Sequence, residues 1–91
     1  MKHKFSSSVS FEGTEYTELD LNLDALKGID ISEAKREWAA AGNFSPVPST
    51  DMDFCAIVAA RASKQPLEMI MDLPAKEYTK LCQAVSNFLM V

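Results

Sequence analysis

The chain has 91 residues, of which 47% are hydrophobic and 24% charged, with three Gly, four Pro and a formal net charge of −4. That length supports one core, because two would each be too small to offset the entropy of ordering the chain, and the composition excludes a collagen-like, linker-like or mostly disordered protein. The nine basic residues are scattered in ones and twos from Lys2 to Lys80, which disfavours nucleic acid as a partner, and the longest apolar runs fall far short of the roughly 20 residues that span a bilayer.

Residues 1–91 therefore read as a single domain. The opening Met1-Lys2-His3-Lys4-Phe5 is positive like a secretion signal, but Ser6-Ser7-Ser8 follows in place of an apolar stretch, so a cytoplasmic protein is expected. From Phe5 to Leu23 the apolar residues fall mainly on odd positions, namely Phe5, Val9, Phe11, Leu19, Leu21 and Leu23. This period of two, interrupted at Glu12-Gly13, predicts a β-hairpin over 5–23. A two-residue loop would pair odd with even positions and split the apolar sets between faces, so the pattern favours an odd loop, three residues with a bulge. Tyr16 then lies on the outer face.

A lone hairpin is marginal in water and must lay its apolar face on the helices C-terminal to it. Asp30 and Glu33 form a capping-box-like pair that predicts a helix over about 31–41, stopped by Gly42. Its stripe is Ile31, Ala34, Trp38 and Ala41. The segment 43–49 holds Pro46 and Pro48 and reads as a loop. Thr50 is positioned to cap a second helix through Ser63, whose broad apolar face, with Phe54, Cys55, Ile57, Val58 and Ala62, suits the middle of the core. Pro66 opens a short third helix ending near Asp72, the Leu73-Pro74 step breaks it, and a fourth runs from about Ala75 to Leu89. Hairpin followed by three to four helices, in the helical part 30–90, is an α+β arrangement.

Chemistry is hard to assemble from these residues, and an enzyme is not expected. His3, the only histidine, sits close to an end of the sequence, where a general base is difficult to position. Nothing local activates Ser6-Ser7-Ser8 as a nucleophile. Glu33, Glu37, Asp51, Asp53, Glu68, Asp72 and Glu77 lack the alternating spacing of a calcium loop and read as helix caps and solvated faces. Isolated Gly13, Gly28 and Gly42 draw no phosphate-cradling loop. Cys55 and Cys82 fall inside helical apolar patterns and read as buried free thiols. No cofactor, metal or small-molecule substrate is implied.

Methionine stands out instead. Met52, Met69, Met71 and Met90 belong to the second half, and flexible thioethers either fill gaps in a core or adapt to an apolar partner. Met69 and Met71, two apart on one short helix, cannot both face one core. The candidate protein-binding residues are accordingly Met69, Met71, Tyr16, Leu89 and Met90.

The ordered motifs resemble a family. Two strands around a Gly turn, then Leu19-Asp20-Leu21-Asn22-Leu23, Leu26-Lys27-Gly28-Ile29-Asp30 and a helix with Glu33-Ala34, are similar to the first half of the tail assembly chaperones of long-tailed bacteriophages. The Pro-containing loop, the helix with Phe54 and Ala56 to Ala62, Leu73-Pro74-Ala75-Lys76-Glu77-Tyr78 and Val85-Ser86-Asn87-Phe88-Leu89 resemble its second half. The resemblance implies a protein of the bacterial host cytoplasm, made during phage or prophage morphogenesis. It would bind the tape measure protein and keep it soluble while the tail tube assembles, form homo-oligomers, and be absent from the mature virion. The other readings open at this point are a structural adaptor or connector of a phage particle and a small regulatory protein-binding module.

Overall fold

The computed structural model describes residues 2–48 and 51–90, and its N-terminal hairpin closes on Glu12 and Gly13 alone. Strand β1 spans Lys2–Phe11 and the antiparallel strand β2 spans Thr14–Asp20, with Phe11 facing Thr14. Both turn residues have positive φ, 49° at Glu12 and 82° at Gly13, which is the two-residue turn whose twist matches that of the strands. The odd loop expected from the apolar pattern is therefore not how the chain solves its register problem.

The solution lies inside β1. Lys4 faces Glu18 whereas Val9 faces Tyr16, so β1 takes up surplus residues in an irregularity that contains Ser6-Ser7-Ser8. Because the surplus is odd, like-parity positions pair beyond it, as with His3 and Leu19. Phe5, Val9 and Leu19 all reach the core as a result. One consequence reverses an expectation: Tyr16 faces Val9 directly and packs, half-buried, against the core rather than standing on the outer face.

After β2, Leu21 and Leu23 continue the buried row, and a 3-10 turn over Leu23–Ala25 leads into the helices. The Asn22 amide donates to the Ala62 carbonyl at 3.2 Å, which ties the hairpin's exit to the second helix. Helix α1 spans Gly28–Ala40. It starts one turn earlier than expected, because the Asp30 carboxylate accepts from the Lys27 amide at 2.8 Å and so serves the first turn from within. Gly42 ends it at φ 91°, as its sequence position indicated.

Helix α2 spans Met52–Ser63, α3 Leu67–Met71 and α4 Ala75–Met90. Thr50 lies outside the described residues, and the cap seen on α2 is Asp51, whose Oδ1 accepts from the Phe54 amide at 3.1 Å. Helix α2 is central. Every residue from Phe54 to Ala60 is buried, and α1, α3 and α4 all pack on it. The result is an α+β domain whose radius of gyration, 12.5 Å, agrees with the roughly 12 Å of a compact chain of this length. No helix among the described residues is long and apolar enough to cross a membrane.

Candidate protein-binding surfaces

An apolar groove opens where three helices and the Pro-containing loop meet. Ile31 and Lys35 come from α1, Pro48 from the loop, Phe54 from the start of α2 and Leu89 from the end of α4, around about 280 Å³. Its walls follow from the fold. The apolar stripe of α1 leaves Ile31 only partly covered, and α4 runs long enough to bring Leu89 beside it. Among the described residues Lys35 is the one charged side chain in the lining. The loop before Pro48 carries Val47 and, four residues back, Phe44 at 88% exposure; on either side of Leu89 in the chain are the exposed Phe88 and Met90. A Phe side chain left that open is the more informative observation, since scattered exposed aliphatics are normal.

The five residues singled out by sequence separate in the structure. Leu89 is half-buried and lines the groove, and Met90 is 59% exposed next to it. Met71 is 48% exposed on α3. Met69, at 1%, is not a free surface residue: Met69 and Ile70 are both turned inward from the one-turn helix α3, which packs on α2. That puts Met71, two residues on, outside. Tyr16 is likewise mostly taken up by the core. Phe44, Val47 and Ile31 were missed. Phe44 and Val47 sit in a loop with no periodicity to read, and Ile31 reads simply as part of the helix stripe.

A polar cluster also departs from expectation. Glu77 is only 4% exposed rather than solvated, and its Oε2 accepts the Ser6 amide at 3.0 Å, while Lys80 Nζ donates to Ser6 Oγ at 2.8 Å. A carboxylate on the first turn of α4 thus takes the place of a neighbouring strand's carbonyl at the irregular part of β1. His3 belongs to β1 and is no frayed tail; its ring meets that of Phe5 edge-on at 5.7 Å. Among the described residues, Glu77 Oε1 and His3 Nε2 are buried without hydrogen-bond partners.

Burial holds the His3 imidazole below its ordinary value of 6.5; the Glu77 carboxylate acts in the opposite direction and Lys80 adds to the lowering. In the unfolded chain His3 binds its proton more readily, so the sign is fixed. Its contribution to stability is complete above pH 6.5 and is lost as pH falls through the lower folded value. Urea midpoints of the wild type should therefore drop as pH is lowered from 6.5, before most carboxylates titrate, and His3→Phe should flatten that part of the profile. An unchanged slope in the variant would assign the pH dependence to other groups.

The two cysteines are buried and are not joined in a disulfide. They line one small cavity between α2 and α4, and burial pushes Cys55 up to about 11 and Cys82 up to about 12, so neither is a thiolate at neutral pH. Tyr78, raised by burial, donates to Asp53 at 3.3 Å. Among the described residues no group of three or more His, Cys, Asp or Glu side chains is arranged to hold a metal ion. Set against protein-family models, curated proteins and solved structures, the chain has no match.

Proposed function

We propose that this chain is a phage tail assembly chaperone that holds an apolar segment of the tape measure protein in the groove between α1, α2 and α4. The groove is the observation that supports the reading: about 280 Å³ bounded by Ile31, Pro48, Phe54 and Leu89, with one cation, Lys35, on its wall. A carrier of an insoluble client needs apolar surface that can be covered reversibly and net charge that keeps the complex dispersed. Exposed Phe44 and Val47 in the loop before Pro48, and exposed Phe88 and Met90 on either side of Leu89 in the chain, add the first, and the charge of −4 supplies the second. The resemblance of the ordered motifs to tail assembly chaperones points to the client. On this reading the protein works in the host cytoplasm, self-associates when no client is bound, and is left behind when the virion is complete.

Co-expression with the tape measure protein of the same genome tests this. The client should become soluble and co-elute with the chain, and Phe44→Ala should weaken the complex by about 2 kcal/mol, roughly thirtyfold, the effect of losing an interface aromatic. A client that stays insoluble beside abundant folded chain would overturn the proposal.

A further inference from the structure

The free edge of β1 is covered at one point and open at another. At Ser6 it is closed by α4, since Glu77 accepts the Ser6 amide and Lys80 donates to the Ser6 hydroxyl. Nearer the turn it borders a cleft of about 230 Å³, with residues 8–11 of β1 on one side and Met69, Asp72, Leu73 and Pro74 of the α3–α4 corner on the other.

The hairpin register decides what that edge offers. Phe11 and Thr14 flank a two-residue turn and so form a hydrogen-bonded pair. The next pair, Ser10 and Glu15, is then of the non-hydrogen-bonded kind, and the Ser10 N–H and C=O point away from β2 toward the free edge. The cleft thus joins unpaired strand groups to an apolar wall in which Phe11 and Pro74 are accessible over the buried Val9, Met69 and Leu73. Charge narrows the occupant further. Asp72 is the charged side chain that lines the cleft, Glu12 follows Phe11 and Glu15 pairs with Ser10, while Lys80 is engaged at Ser6 at the closed end.

We propose that this cleft accepts an extended, lysine- or arginine-bearing segment of another protein as a third strand beside β1. Alternate side chains of the added strand enter the apolar wall, and the intervening basic ones lie on the outer face, where Ser10 stands across from Glu15. The groove at Leu89 is a separate surface, and the inference does not depend on what that groove binds.

The probe is a synthetic peptide of about six residues alternating valine and lysine, titrated into the full chain labelled for amide NMR. Shifts at Ser8 and Ser10 with slowed exchange at Ser10 are expected, together with no binding by the same peptide carrying glutamate for lysine. Ser10→Pro removes the outward donor at a position where the hairpin itself needs none, and should weaken the peptide by about tenfold or more. Asp72→Lys, which leaves the strand untouched, should weaken it as well. Unshifted β1 amides, equal binding of the glutamate peptide, or parent-like affinity in both variants would each overturn the proposal. Shifts confined to the Leu89 groove would overturn it while leaving the groove reading intact.

Discussion

Trp38→Ala should lower the unfolding free energy by about 3–5 kcal/mol, a large share of the roughly 5–15 kcal/mol that holds a domain together. Trp38 is the main side chain through which α1 joins the core: it is buried, meets Phe54 edge-on at 5.9 Å, and donates from Nε1 to Asp51 Oδ1 at 3.0 Å. That same oxygen caps α2 through the Phe54 amide. One carboxylate therefore serves the start of one helix and the indole of another, and losing the indole removes ring packing, a hydrogen bond and the bracing of a cap together. Trp38→Phe separates these contributions. It retains most of the volume and should cost only about 1–2 kcal/mol, since the cap survives without the indole. Urea unfolding of both variants reads the difference, and equal losses would mean that the hydrogen bond to Asp51 carries the effect.

Glu77→Ala should cost about 2 kcal/mol, the net worth of a hydrogen bond to a charged acceptor, here the part-buried one from the Ser6 amide. The damage should be local. Glu77 holds Ser6 at the place where β1 departs from regular pairing, so amide exchange should accelerate through the hairpin while the amides of α2 keep their protection. Glu77→Gln retains an oxygen for Ser6 without burying a charge, and should fall within about 1 kcal/mol of the parent. If alanine is as harmless as glutamine, the strand irregularity stands without α4.

Much of the helical part was legible because its punctuation is backbone chemistry. Gly42, Pro66 and the Leu73-Pro74 step mark ends that no side-chain packing can move far, and the apolar face of α2 pointed to the centre of the core. The hairpin was legible in its strands and misread in its register. A turn of two positive-φ residues was available at Glu12-Gly13, and the parity conflict it creates was absorbed by three serines that carry no apolar signal. Tyr16 changed sides with that register. Glu77 and His3 were misjudged for a common reason: charge and nearness to a chain end argue for exposure only on average, and here a strand amide needed an acceptor that α4 was placed to give. Of the apolar side chains left accessible, the sequence singled out Leu89 and Met90 but had no means of seeing Phe44, whose exposure is decided by the path of the Pro-containing loop.

The most direct test of the central claim is site-specific photo-crosslinking from position 44 during co-expression with the tape measure protein. A benzophenone side chain replacing Phe44, in the loop that leads to Pro48 of the groove, should capture the client. The same group replacing the exposed Asp24, in the 3-10 turn tied through Asn22 and Ala62 to the opposite end of α2 from Phe54, should not. Crosslinks from Asp24 and none from Phe44, or none from either beside soluble client, would contradict a groove that carries the partner.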